Sequence, residues 1–160
     1  MSEKAKTAVP EGMHTVTTHL WFQGNCVEAI KFYKKAFGAV EATPPVTAPG
    51  FETIMHAMLS IGTSRIMMAD AWPGTWEQAP AEGTTASLWL YVEKCDEAFQ
   101  QAVDAGCEVI MPMSDSFWGD RFGKVKDPFG HCWALASHRW NMTPEEIAKG
   151  QRLWLASLKK

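Results

Sequence analysis

Two stretches of the sequence repeat one order of features: a strand, a tight turn, an amphipathic helix and a glycine. The first stretch has Leu20-Trp21-Phe22 before the turn and Gly38 after the helix. The second has Leu90-Tyr91-Val92 and Gly106 in the same places. Further strand-like segments follow each stretch. An internal repeat of about seventy residues is the simplest account, and it requires both halves to adopt the same supersecondary unit.

The remaining segments of both halves have the residue types and turn signals of strands. In the first half the predicted strands cover residues 14–22, 52–61 and 65–69, and the proline-rich residues 42–50 predict a loop or an irregular edge. In the second half they cover residues 86–92, 107–111, 123–126 and 131–137. The predicted class is α+β, with two βαβββ modules over residues 13–71 and 86–138.

Capping residues mark the predicted helix starts. Asn25 with Glu28 predicts the start of the first helix, and Thr143, Pro144 and Glu146 predict a capping box that opens a C-terminal amphipathic helix over residues 141–160. The apolar stripe of that last helix is expected to dock on the domain or on a second subunit; it consists of Ile147, Trp154, Leu155 and Leu158. Residues 1–12 read as a flexible polar tail.

Bulk composition excludes several classes of protein. A chain of 160 residues fits one domain, here residues 13–140, and a net charge of −3 gives no basic surface for nucleic acid. No apolar run is long enough to cross a bilayer, and no secretory leader is recognisable, so a cytoplasmic protein without membrane partners is expected. The four cysteines are widely spaced and are expected to be ordinary thiols.

Several motifs together resemble one known family. They are His19-Leu20-Trp21-Phe22-Gln23-Gly24-Asn25, Phe32-Tyr33, Ala36-Phe37-Gly38, Phe117-Trp118-Gly119-Asp120-Arg121 and Asp127-Pro128-Phe129-Gly130-His131. The chain resembles the PhnB-like branch of the glyoxalase / bleomycin-resistance / extradiol-dioxygenase (vicinal oxygen chelate) superfamily over about residues 13–140. That resemblance implies modules that pair into a curved, cleft-forming mixed sheet with helices on the outer faces, and it implies a homodimer.

The resemblance also implies a divalent metal held by His or carboxylate ligands from the opening and closing strands of each module. Those positions fall at Thr17 or Thr18 and at Met67 or Met68 in the first module, and at Ser87 and Ala134 in the second. Hydroxyl, thioether and methyl groups are poor ligands for such ions. No metal cofactor is therefore predicted, and an ion held by His19 and His56 is the alternative.

Alternation along the opening strands predicts which side chains face the cleft. Val16, Leu20 and Phe22 are expected to pack under a helix, which leaves Thr17, His19 and Trp21 facing the cleft. In the second module the cleft-facing residues are Ser87, Trp89 and Tyr91. Trp21 and Trp89 are taken as equivalent positions that wall one cavity, which favours an apolar or aromatic small molecule.

The resemblance implies that this segment lies near the cleft mouth, where Trp118 is expected at the rim and Arg121 has two interpretations. Arg121 could clamp an anionic group of a ligand, or it could form a salt bridge that fixes its own loop. His138 is expected to be solvated at a strand end, and Asp70 and Asp127 to cap turns.

Two functions stay open at this point. The first is a small-molecule-binding protein without a metal, similar to bleomycin-resistance proteins, whose site contains Trp21, Trp89, Tyr91, Trp118 and Arg121. The second is a glyoxalase- or dioxygenase-type enzyme in which His56 or His19 acts as general base or sole metal anchor. No nucleophile motif is present, so covalent catalysis has no support.

Overall fold

The computed structural model describes residues 4–158 and divides the chain into two compact units, between Ala81 and Glu82. Within the described residues, each unit contains one four-stranded mixed sheet. No helix in this part of the chain is both long enough and apolar enough to cross a membrane.

The first unit contains one βαβββ module. Its elements are β1 (Thr18–Phe22), α1 (Cys26–Phe37), β2 (Val40–Thr47), β3 (Ile54–Ile61) and β4 (Ser64–Asp70). The strand order is β1-β4-β3-β2, with β1 parallel to β4 and the other pairs antiparallel. Pro44 and Pro45 lie within β2, which is an edge strand with three register irregularities. An edge strand tolerates proline because one side of its backbone needs no ladder partner, so the irregular-edge alternative is correct.

The second unit repeats this arrangement and adds a terminal helix. Its elements are β5 (Ser87–Tyr91), α2 (Cys95–Ala105), β6 (Glu108–Asp115), β7 (Asp120–Lys126), β8 (Cys132–His138) and α3 (Pro144–Ser157). The order β5-β8-β7-β6, with β5 parallel to β8, matches that of the first sheet strand for strand. The prediction of two βαβββ modules is confirmed.

A side chain from the last strand of each module binds the first residue of that module's helix. Oδ1 of Asp70 accepts from the backbone N–H of Cys26 at 3.0 Å, and Oγ of Ser137 accepts from that of Cys95 at 3.2 Å. The side chain of Asn25, predicted as the cap, instead accepts from the N–H of Gln23. The free backbone N–H groups at the start of each helix are therefore bound by residues of β4 and β8. The sequence pattern had predicted a neighbouring residue for this role.

The helix-facing side of each sheet holds the core. Leu20 and Phe22 are buried as predicted, and in the second unit Val125, Trp133 and Leu135 are buried. Val16 was expected beside Leu20, but it precedes β1 and is 88% exposed. The prediction for Val16 is wrong because β1 starts at Thr18, four residues after the start that the sequence pattern indicated.

Helix α3 begins as predicted: Thr143 and Glu146 form the capping box and Pro144 occupies the first turn. Across Pro144–Ser157, which the structure describes in full, no residue is buried. The predicted apolar stripe is only partly used, since Trp154 contacts Phe117 whereas Leu155 and Leu158 are exposed.

Candidate functional site

The face of the second sheet that lies opposite α2 is aromatic. Its central strand β8 contributes Ala134 and Ala136, and the register places Trp89 beside Ala134 and Tyr91 beside Ala136. On the other side of β8, Phe122 pairs with Ala136 and packs on both alanines. Because alanine leaves space above the central strand, the large rings from the flanking strands meet there.

Six aromatic rings form a continuous chain from β5 to α3. Trp89 lies 6.0 Å from Tyr91 and 4.9 Å from Phe122, measured between ring centroids. The chain continues over 5.3 Å from Phe122 to Trp118, 5.0 Å from Trp118 to Phe117 and 6.1 Å from Phe117 to Trp154. These separations lie in the range of favourable aromatic pairs, so the rings form one connected surface.

A cavity of about 540 Å³ opens beside this chain. Four of the rings line it, Phe117, Trp118, Phe122 and Trp154. Ser114, Asp115 and Ser116 supply its polar atoms. The cavity therefore offers broad apolar surface and a few polar groups, which is the usual composition of a small-molecule site.

The carboxylate of Asp120 fixes two of the aromatic side chains. Oδ2 of Asp120 accepts from the Tyr91 hydroxyl at 2.9 Å and from the Trp118 indole N–H at 3.1 Å. Oδ1 lies 2.7 Å from Nδ1 of His138, whose Nε2 lies 2.9 Å from Oδ1 of Asn141. Asp120 is buried, and these bonds satisfy it while setting the orientation of rings from two separate segments.

The same network shifts the pKa values of its members. Burial acts to raise the pKa of Asp120, but the hydrogen bonds from His138, Tyr91 and Trp118 together lower it below its usual value. The bond with Asn141, followed by the bond with Asp120, raises the pKa of His138. An ionised Asp120 next to a protonated His138 is the state that this geometry favours.

Arg121 lies on the helix-facing side of the sheet, on the opposite face from Phe122. Its Nη2 and Nε atoms lie 2.6 Å and 2.8 Å from the carboxylate oxygens of Asp96 in α2, and its Nη1 lies 3.3 Å from Asp115. These bonds raise the pKa of Arg121 further above its usual value. This arrangement corresponds to the salt-bridge interpretation of Arg121.

In the first unit, His19 and Trp21 stack on the equivalent sheet face with their ring centroids 4.2 Å apart. Nε2 of His19 is buried, and no residue between 4 and 158 supplies it with a hydrogen-bond partner. Burial and then the charge of His56 lower the pKa of His19, while Glu77 acts in the opposite direction. His19 is therefore held as a neutral imidazole with one unsatisfied nitrogen.

The neighbours of His19 across the sheet are thioethers. The register pairs His19 with Met67 of β4, and Met67 with Met58 of β3. His56 lies two residues before Met58 and faces the same side of the sheet. This places both candidate histidines on one face, separated by methionine side chains.

The donor set on either sheet does not fit a hard divalent ion. Among residues 4–158, no group of three or more His, Cys, Asp or Glu side chains is arranged so that it could hold a metal. The closing-strand positions on the two faces are Met67 and Ala134, and neither provides an oxygen or an imidazole nitrogen.

The capping contacts also align the two modules. Asp70 pairs with Phe22, and Ser137 lies level with Val92, so Phe22 corresponds to Val92. Trp21 then corresponds to Tyr91, and His19 corresponds to Trp89. The predicted equivalence of Trp21 and Trp89 is therefore off by two residues.

Sequence reasoning missed several residues of this site. His138 was predicted to be solvated, but it bonds to Asp120 and Asn141 although its side chain is 52% exposed. Phe117, Phe122 and Trp154 were not among the predicted ligand-binding residues. Phe122 could have been found, since it lies two residues after Asp120 and alternation places it on the same face.

Comparison with known proteins agrees with this fold. The model of the Glyoxalase/Bleomycin resistance protein/Dioxygenase superfamily matches residues 14–135. An uncharacterized protein of Mycobacterium bovis is 37% identical over 129 residues, which are 77% of this chain and 83% of that protein.

Two solved structures illustrate the structural likeness. Protein PA1353 from Pseudomonas aeruginosa is 29% identical, with a TM-score of 0.61 over 78% of this chain and 98% of that one. A Bacillus cereus PhnB protein, described as a putative 3-demethylubiquinone-9 3-methyltransferase, is 23% identical, with a TM-score of 0.60 over 78% of this chain and 99% of that one. With two βαβββ modules and a family match across most of its length, the chain belongs to the glyoxalase/bleomycin resistance protein/dioxygenase superfamily.

Proposed function

We propose that this protein binds a small, largely apolar or aromatic molecule on the aromatic face of its second unit, without a metal ion. The observation that carries the proposal is the chain of six rings, four of which line the cavity of about 540 Å³. Pockets for small molecules typically enclose about 300–1,000 Å³, so the cavity has the size of a site for a drug-like molecule.

The exposure of two further rings, which continue the ring chain beyond the cavity lining, supports binding over simple core filling. Trp89 is 38% exposed and Tyr91 is 56% exposed, although both side chains contact other rings. A ring that only filled the core would be covered by its neighbours. When an apolar ligand covers such a surface, the complex is stabilised by about 25 cal/mol for each Å² of apolar area removed from water.

A fluorescent probe tests the proposal. N-phenyl-1-naphthylamine is neutral and aromatic, and its emission rises in apolar surroundings. We expect saturable binding that weakens at least about tenfold in Trp118→Ala, since truncating an aromatic hot-spot residue costs about 2 kcal/mol or more. Trp76→Ala is the control, because Trp76 is 94% exposed in the first unit. Equal losses in both variants would contradict the proposal.

Independence from metal has its own test. Dialysis against EDTA should leave the probe's affinity unchanged, because the rings that line the cavity bind the probe through apolar contact, which needs no metal ion. If dialysis lowered the affinity and addition of Zn²⁺, Ni²⁺ or Mn²⁺ restored it, the metal-free part of the proposal would be refuted. The proposed binding site would be unaffected by that result.

One observation favours a second candidate, a glyoxalase- or dioxygenase-type enzyme that uses the first unit. The buried Nε2 of His19 has no hydrogen-bond partner within the described part of the chain, and a neutral imidazole in that state could accept a proton from a bound substrate. Turnover of a thiohemiacetal or a catechol that is abolished by His19→Ala and retained in Trp118→Ala would support this candidate. His56→Ala tests whether the second histidine takes part, and absence of turnover in the wild type would exclude these two reactions.

We also propose that the protein acts as a homodimer, as superfamily members often do. Exposed apolar side chains at the end of α3, Leu153 and Leu155, and Leu158 directly after it support an interface there. Light scattering should then give twice the mass of one chain, and charged substitutions at Leu155 and Leu158 should lower it.

A further inference from the structure

We propose that helix α3 sets the size of the ligand, and that Trp154 is the specificity-determining residue at the outer wall of the cavity. This inference rests on the proposed function, because it concerns the same cavity in the second unit. It assigns to the C-terminal helix a role in choosing between ligands of the same chemistry.

The contact that holds α3 against the cavity requires a glycine. A Cβ atom added at Gly150 would lie 2.7 Å from Cβ of Phe117 and 3.5 Å from its Cα. Real Cβ atoms do not approach that closely, so any larger residue would push the helix away from Phe117. Glycine inside a helix costs about 1 kcal/mol relative to alanine, and at this position its missing side chain permits the close approach to Phe117.

One turn further along α3, Trp154 reaches the cavity. It follows Gly150 by four residues, so both lie on one face of the helix. The indole contacts Phe117 and lines the cavity together with Trp118 and Phe122. The close approach at Gly150 therefore determines how far Trp154 extends over the opening.

The outer wall is also lightly attached. Helix α3 has no buried residue, and Trp154 is 51% exposed while forming part of the wall. At the start of this segment, the backbone N–H groups of Arg139 and Trp140 both donate to the carbonyl of Gly119, which anchors the chain before the helix. Truncating the Trp154 side chain thus removes part of the cavity wall but no buried core residue. The cavity should become larger while the unit stays folded.

Competition between a small and a large probe tests the inference. N-phenyl-1-naphthylamine is the small probe and the longer 1,6-diphenylhexatriene is the large one. In Trp154→Ala we expect the ratio of affinities, small over large, to fall at least about tenfold, because the shorter probe loses a wall contact and the longer one gains space. Gly150→Val should shift the ratio in the same direction by displacing the helix from Phe117.

Arg152→Ala is the matched control. Arg152 is exposed and lies two residues before Trp154, on the other side of the helix. We expect its ratio of affinities and its melting temperature to equal those of the wild type. Equal ratios in Trp154→Ala and Arg152→Ala would overturn the inference, whereas a small probe whose binding does not depend on Trp118 would overturn the proposed function and the inference with it.

Discussion

The two units share one topology but present different chemistry on corresponding faces. Where the first unit has His19 on its opening strand, the second has Trp89, and where the first has Met67 on its closing strand, the second has Ala134. Met67 is a long, partly buried side chain, while alanine leaves the space above β8 open to the rings of the second sheet. The two faces thus differ in the size of one central side chain, which determines how much space is left above a closely packed sheet.

The caps of the two helices differ in the same way. Asp70, which is 1% exposed, accepts from Cys26 and also from the N–H of Ile54 at 2.8 Å, so its charge joins α1 to the start of β3. Ser137 serves α2 with a neutral hydroxyl. Hydrogen bonds to a charged group are stronger than those to a neutral group, so the first cap should matter more for stability.

The largest expected effect tests that difference. Asp70→Ala leaves two buried N–H groups without partners, and the free energy of unfolding should fall by about 3 kcal/mol, against about 1 kcal/mol for Ser137→Ala. Urea unfolding followed by tryptophan fluorescence measures both values. Equal losses would show that charge gives the first cap no advantage.

A smaller effect is expected when the second face is made to resemble the first. Ala134→Met places a long side chain under Trp89 and Phe122, which should cost about 1–3 kcal/mol through overpacking and should weaken binding of N-phenyl-1-naphthylamine. Met67→Ala is the reciprocal control, and it should leave that binding unchanged. If Ala134→Met bound the probe as tightly as the wild type, the ligand site would not include the face above Ala134.

The smallest effect is a pH dependence confined to the second unit. Because the folded pKa of His138 is raised, its contribution to stability is complete below the unfolded value of about 6.5 and is lost as pH rises through the folded value. The difference in melting temperature between the wild type and His138→Gln should therefore be larger at pH 6 than at pH 8.5. Asp120 has a lowered pKa and loses its contribution only at acid pH, outside this window. A difference that stays constant across this range would rule out the linkage.

Sequence patterns were sufficient for the repeated modules and the start of α3, because turn residues, alternation and capping boxes are local signals. The Asp120–His138 contact was missed because it depends on how β7 and β8 pair, and nothing local specifies that two strand ends meet. The wall formed by Trp154 was missed for a similar reason. Its position depends on the close approach at Gly150, and a glycine within a helix gives no indication of its partner.

The cap at Asp70 also has a consequence for thiol chemistry. A cysteine in the first turn of a helix usually becomes more acidic, because backbone amides stabilise the thiolate. Here burial, then the neighbouring carboxylates of Asp70 and Glu28, raise the pKa of Cys26 to about 12. The sulfur stays protonated near neutral pH, so alkylating reagents and peroxide should not react with Cys26 as long as the first unit remains folded.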